Sequence, residues 1–415
     1  MRRISTDMPN NDAQYYLRRQ EEGLANIQSK IAGQTRIREL RDDPLAASHA
    51  VRYESYLSRL ERFETNTFHA REHYQAVEGN LRHANDIMQR IRELSVRGAN
   101  GTYAPEDLRY MAVEVNELLK ELVSISNTIG PDGKQLFAGD KVFTEPFRAV
   151  EGTVQGGGES MVVRVEYRGS GPSRRAEISE GSYASLDIGG GEAFWAEKMQ
   201  VFSAADATDY RVTAPGAFYV DGQEITVTTG DTLHAIAAKI NESPAPVKAY
   251  VDPETRGLAL EGTNAHLIRL EDRSDSRVLQ DLGIITANSD PGAPNWNPAA
   301  RVSGGSVFDM VIRLRDALFR GDQESVGSQG IGGIDLALGN FASRLTDLGS
   351  RFERAETAWN RLNEEIPHVT AALGRESGLD FTTAATDLGM MDFAHKAALQ
   401  TAAKVIQPTL LDFLR

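Results

Sequence analysis

No cysteine occurs among the 415 residues, so disulfides and thiolate metal sites are excluded. That lack suits an exported, assembling chain, although many cytosolic proteins share it. No apolar run approaches the length that spans a bilayer, so no membrane partner is expected. The basic start Met1-Arg2-Arg3-Ile4-Ser5-Thr6-Asp7 has no apolar stretch behind it. A cleaved secretory signal is therefore not expected, and an exported chain would take another route. Positive charge is in deficit, with 45 basic against 59 acidic residues and a net charge of −14. A chain of that sign repels nucleic acid and anionic lipid, and its charge keeps a free monomer soluble.

Catalytic patterns are scarce as well. There is no G-x-S-x-G elbow, and no acid–base pair can be assembled from sequence. Gly156-Gly157-Gly158 and Gly189-Gly190-Gly191 lack the spacing of a phosphate loop and the helix that must follow one, so they read as flexible turns. Asn100-Gly101-Thr102 is a formal glycosylation sequon but reads better as a helix C-cap. His69-Ala70-Arg71-Glu72-His73 matches H-x-x-E-H, which would place a zinc pair at i, i+4 with Glu72 as base. No strong third ligand stands out, and the stretch sits beside an apolar seam through Ala70 and Tyr74. It reads as polar residues on a long helix. The expectation is a chain that is no enzyme, with no catalytic residue, cofactor or metal.

What is present is helix at both ends. The chain is 40% hydrophobic and 25% charged, material for two or three domains. Apolar residues recur in helical steps at Ala13, Leu17, Leu24, Ile27 and Ile31, with Gln20 interrupting. Beyond Pro44, Tyr74, Val77, Leu81, Ala84, Met88 and Ile91 alternate steps of three and four, a heptad seam suited to helix-on-helix packing. Asn100-Gly101 stops that helix. A second opens near Pro105-Glu106-Asp107 and carries Leu108, Met111, Val115, Leu118, Leu122, Ile125 and Ile129, until Gly130-Pro131-Asp132-Gly133. Near the other end, Phe341, Leu345, Leu348, Phe352, Ala355, Trp359, Leu362, Ile366, Val369 and Leu373 make a seam about 50 Å long. Pro367 lies inside it, so a kink or a break is expected there. A last helix is expected over 383–406, on Ala384, Leu388, Met391, Ala398 and Val405.

The middle is different. Met161 to Tyr167 alternates in part like a strand. Phe218 to Val227 reads as a hairpin around Asp221-Gly222, with a type I′ turn. Asp231 or Thr232 caps a short helix through Ile240, and strands Val247–Val251 and Leu258–Leu260 follow, giving a small β-α-β module. Gly304-Gly305 returns the chain to helix. The fold class is thus mainly α with a β insertion: long antiparallel terminal helices in a coiled-coil-like bundle, and a central β-rich α+β domain. The divisions are terminal assembly segments 1–43 and 376–415, a helical bundle core 44–145 and 310–375, and a β-rich insertion 146–309. The bundle core is expected to rest on Val77, Leu81, Met88, Ile91, Met111, Val115, Leu118, Leu122, Leu345, Leu348, Phe352, Trp359 and Leu362. The seams can bury against the same chain, another chain, or both. The terminal stripes have little else to cover, so the ends are expected to be poorly ordered in a lone monomer and to fold on assembly.

Several stretches give these ends a familiar form. They are Arg3-Ile4-Ser5-Thr6-Asp7-Met8, Arg36-Ile37 with Asp42-Asp43-Pro44-Leu45-Ala46-Ala47, and Gln89 to Val96 with Ala99-Asn100-Gly101-Thr102. Leu136-Phe137-Ala138-Gly139 and the ending Leu410-Leu411-Asp412-Phe413-Leu414 complete the set. Together they resemble the flagellin superfamily, over about 1–145 and 335–415, and within it the hook–filament junction type of hook-associated protein. Phe218 to Asn241 resembles the small repeat inserted in such proteins. Gln34 departs from the family, which usually has glycine there, and Glu376-Ser377-Gly378-Leu379 does not match closely.

The resemblance implies a structural subunit of the bacterial flagellum, joining hook to filament after export through the flagellar type III secretion system. The alternative is flagellin itself, the filament subunit. The implied partners are other copies of itself, a hook-associated protein on the hook side, flagellin on the filament side and an export chaperone. The implied location is the flagellum, extracellular or periplasmic. The residues expected at assembly contacts are Ile4, Leu17, Leu24, Ile27, Ile31, Val405, Leu411, Phe413 and Leu414.

Overall fold

The computed structural model describes residues 8–39, 41–157, 160–171, 174–286 and 295–405. The chain divides into two compact units, residues 1–64 with 360–415, and residues 65–359. The elements follow in this order: α1 (Met8–Gly33), α2 (Pro44–Gly98), α3 (Pro105–Ser126), β1 (Phe147–Thr153), β2 (Ser160–Tyr167), β3 (Arg175–Ser179), β4 (Ser182–Ser185) and α4 (Gly190–Ala193). Next come β5 (Gln200–Phe202), β6 (Gly216–Val220), β7 (Gln223–Val227), α5 (Leu233–Glu242), β8 (Val247–Val251), β9 (Leu258–Gly262), β10 (Leu270–Asp272), α6 (Val278–Asp281) and β11 (Arg301–Ser303). The chain returns to helix in α7 (Val307–Arg320) and α8 (Gln323–Ser325), followed by a π-helix (Val326–Gly330), α9 (Ile331–Ser377) and α10 (Phe381–Val405).

In the larger unit, the later turns of α2, α3, α7 and the first part of α9 bury one apolar core. Val77, Leu81, Met88, Ile91, Val115, Leu122 and Leu348 are inside it, with Met111, Leu118, Leu345 and Phe352 partly buried at its edge. Each fully buried Leu or Val contributes about 1.5 to 3 kcal/mol. Phe137, Phe147, Phe194, Phe308 and Phe341 extend this core as a chain of ring contacts at 5.0–5.7 Å. The fully buried Arg315 of α7 ties three elements together. Its Nη1 donates to Asn116 Oδ1 on α3 at 2.9 Å and to Val162 O on β2 at 2.5 Å, and its Nη2 donates to Asp316 at 2.7 Å.

The seam on α3 is turned slightly from a strict heptad. Ala112 and Leu119 are fully buried, while Met111 and Leu118 lie at the rim. A straight helix has 3.6 residues per turn and buries a broader stripe than the 3.5-residue period does. Ile129 is not in the seam. The helix ends at Ser126, where Asn127 turns its side chain to Phe147, and Ile129 is 59% exposed beyond it. α9 runs through Pro367 without a break. Proline deprives only the Asn363 carbonyl of its helical partner, and both residues lie on the exposed face.

A second core belongs to the β-rich module. Asp221 and Gly222 both have positive φ (49° and 78°), as a type I′ hairpin between β6 and β7 requires. Thr232 caps α5, with its side chain accepting from Ala235 N–H. The β-α-β expectation needs correction: β7 lies in a sheet ordered β10-β6-β7 and β8 in another ordered β11-β5-β9-β8. Every pairing in the two sheets is antiparallel. Ser306 and Asp309 form a reciprocal capping box that starts α7 after Gly304-Gly305.

In the smaller unit, α1 packs along α10, and the first turns of α2 meet the last turns of α9. Leu60, Phe63, Leu362 and Val369 are buried there, and Tyr56 donates a hydrogen bond to Glu365. Trp359 belongs to the larger unit, where it is half-buried with Phe68 beside its ring and the Arg71 guanidinium over it at 5.1 Å.

Candidate functional site

The terminal helix pair is built from local rules. α1 ends in a Schellman motif: Thr35 N–H donates to Lys30 O and Gln34 N–H to Ile31 O, each at 3.2 Å. The motif puts Gln34 at φ 54°, a left-handed conformation that glycine adopts without cost. The chain then pairs Thr35 with Gly378 as an antiparallel bridge, with Arg36 N–H donating to Ser377 O at 2.8 Å. Gly378 is required here, because a Cβ would lie 2.2 Å from Gly374 O. Further along, a Cβ on Gly23 would sit 3.2 Å from Met391 Sδ. The contact moves away from the bridge along both helices, so α1 and α10 run antiparallel, and the hydrogen side chain of Gly23 lets them approach closely.

An acidic elbow fixes the entry to α2. Asp43 Oδ1 accepts from Ala46 N–H at 3.1 Å, with Pro44 in the first turn, and Arg36 Nη1 donates to Asp43 Oδ2 at 3.1 Å. Arg36 Nη2 also donates to Glu376 O at 3.0 Å. The Ala46 N–H and then the Arg36 guanidinium hold the Asp43 carboxyl below the usual carboxylate range. The Arg38 and Glu39 N–H groups do the same for Asp42. At the start of α10, Asp380 accepts from the Thr383 hydroxyl and from the Thr383 and Thr382 N–H groups, which lowers it likewise.

The pair leaves apolar surface in solvent. Leu17, Leu24, Ile27 and Ile31 are only half-buried. Tyr15, Tyr16, Phe381, Met390, Met391, Phe393 and Leu399 are exposed, Tyr16 at 61% and Phe393 at 76%. Large apolar side chains exposed on both helices of a packed pair point to an interaction surface. Sequence periodicity named Met391, which meets Gly23, and missed the others, which lie off the apolar stripes read on α1 and α10. The lone Gly23 inside a helical pattern was the available signal of close packing. Ile4, Leu411, Phe413 and Leu414 lie outside the described residues, as does the side chain of Val405.

Of the H-x-x-E-H stretch, His69 and Glu72 are exposed and His73 is half-buried. Burial pushes the His73 imidazole down. Among the described residues no group of three or more His, Cys, Asp or Glu side chains converges to hold a metal. No helix among them is long and apolar enough to cross a membrane.

Two family models match the chain. Residues 4–142 match the bacterial flagellin N-terminal helical region, and residues 218–264 match the flagellin hook IN motif. The chain is 22% identical to polar flagellin C of Vibrio parahaemolyticus over 97% of its own length and 96% of that protein's. It is 30% identical to flagellar hook-associated protein 3 of Escherichia coli over 30% of its length and 39% of that protein's. The solved structure of hook associated protein 3 from Legionella pneumophila superposes with a TM-score of 0.46 at 18% identity, covering 78% of this chain and 97% of that one.

Proposed function

We propose, proceeding from membership of the flagellin superfamily, that this chain is a structural subunit of the bacterial flagellum that joins hook to filament. The observation that carries the reading is the solvent-facing apolar surface of the α1–α10 pair. A monomer that leaves Tyr16 and Phe393 in water gains by burying them against neighbouring copies, at about 25 cal/mol per Å² of apolar surface. The Asp42-Asp43-Pro44 elbow and the Leu410-Leu411-Asp412-Phe413-Leu414 ending favour the junction type. The subunit would be exported by the flagellar type III secretion system with the help of a chaperone. It would seat on a hook-associated protein and receive flagellin above. Ile4, Leu17, Leu24, Ile27, Ile31, Val405, Leu411, Phe413 and Leu414 would be contacts between copies.

The alignment with polar flagellin C over nearly the whole chain favours a second reading, a subunit of the filament itself. Immunogold labelling of intact flagella with antibody against residues 150–300 separates the two. A single spot where hook meets filament is expected. Label along the filament would make the chain a flagellin, and no label on flagella would overturn both readings.

A further inference from the structure

In the unit of residues 65–359, the helical bundle and the β module meet at residues 265–269. Leu267 packs against both cores. On the bundle side, its N–H donates to Gly191 O at 2.9 Å, and Arg344 on α9 donates to Ala265 O at 3.1 Å. On the module side, Arg269 N–H donates to Asp221 Oδ1 and Asp221 N–H to Arg269 O, each at 2.8 Å. His266 lies in the middle and is 3% exposed. Its Nε2 is 3.0 Å from Asp221 Oδ2, and its Nδ1 is 3.0 Å from Asn264 O.

Both neighbours of the ring are acceptors. A carboxylate and a carbonyl have no proton to give, and a neutral imidazole has one N–H to offer two oxygens. The neutral ring would therefore hold one nitrogen lone pair against an oxygen lone pair in a buried site, which is unfavourable. Only the imidazolium donates on both sides. An ordinary imidazole is more basic than an ordinary carboxylate by about two to three units, so the shared proton belongs on the ring.

The charged groups around the ring are Asp221 in the β6–β7 turn, Glu192 in α4, Arg269 just before β10 and Arg344 on α9. Arg344 Nη1 lies 3.8 Å from Glu192 Oε2. Burial alone would push the imidazole down. The Asp221 bond and charge, the Asn264 carbonyl and Glu192 outweigh it and hold the ring above its ordinary range.

We propose that His266 is a doubly protonated pin between bundle and β module, and that losing one proton as pH rises releases the β6–β7 turn from residues 264–269. The folded value is raised, so the stabilisation is complete below the ordinary imidazole range, about 6.5, and disappears as pH rises through the folded value.

The test is nitrogen NMR of the histidine rings in the full chain, with the His266 signal assigned as the one missing from His266→Gln. At about pH 6, below the ordinary imidazole range, both ring nitrogens are expected to carry protons, and the titration is expected above that of an exposed histidine. The Leu267 and Arg269 amides should lose protection from exchange over the same pH range. Asp221→Asn provides the contrast and a second assignment should His266→Gln not fold. Asparagine tolerates positive φ, its Oδ1 can still accept from Arg269, and its amide can donate to Nε2, so the neutral ring is satisfied. In that variant His266 should titrate below its value in the unaltered chain, and the loss of protection with rising pH should vanish. A single protonated nitrogen at about pH 6 in the unaltered chain, or an unchanged pH profile in Asp221→Asn, overturns the proposal.

Discussion

Single residues in this chain carry consequences that their surroundings dictate. Gln34 holds a left-handed backbone that costs a side chain about 1 to 2 kcal/mol. Gln34→Gly should therefore raise the stability of the terminal unit by about 1 kcal/mol, read as a higher urea midpoint for loss of the α1–α10 pair. Arg315 predicts the reverse. Arg315→Ala strands the Asn116 and Val162 oxygens in the core and leaves a cavity, so global stability should fall by about 3 kcal/mol or more in urea titrations. These two positions differ in what the sequence discloses. Gln34 departs from the family that the sequence resembles, which usually has glycine there, and the αL geometry that glycine suits appears only in the fold. Arg315 is one of many arginines, and nothing local says that it is buried. His266 is equally silent, because its partner Asp221 is 45 residues away.

At the scale of the element, caps and seams decide where helices start and how they face. The carboxyls of Asp42, Asp43 and Asp380 lie below their ordinary value of 3.8. Their stabilisation is present above that value and is lost as pH falls through the lower folded values. Acid should therefore loosen the terminal unit from about pH 4 downward, seen as early amide exchange in α1 and α10. Asp43→Asn with Asp380→Asn keeps the capping acceptors but cannot titrate, so that early acid loss should be reduced. In α9, Pro367→Ala should stabilise the helix by about 2 to 3 kcal/mol in urea titrations, because the helix already continues through the site. Element identity was largely legible: heptad seams announced α2, α3 and α9, and Asp221-Gly222 announced the β6–β7 hairpin. Sheet membership was not. β5 pairs with β9 and β10 with β6 across long separations, and no local pattern records which edge a strand will choose.

On the scale of the whole molecule, the two-ended plan was readable because both ends carry helical stripes with little local surface to cover. Which side chains stay in water was not, since that depends on how α1 turns against α10. Tyr16→Ser with Phe393→Ser should leave the monomer's thermal unfolding nearly unchanged, because both residues are already solvated. The same variant should fail to incorporate into flagella, scored by immunogold, and normal incorporation would remove this surface from the assembly contacts. The bridge between Thr35 and Gly378 has a further consequence, for the order of events. Arg36 and its acceptor on Glu376 are separated by 340 residues. Contacts of such high order close late, because the intervening chain must be gathered first. A chain threaded through a narrow passage from its N-terminus would deliver α1 long before α10. The first helix would then wait for the last, and the terminal unit would close only once nearly all of the polypeptide had arrived.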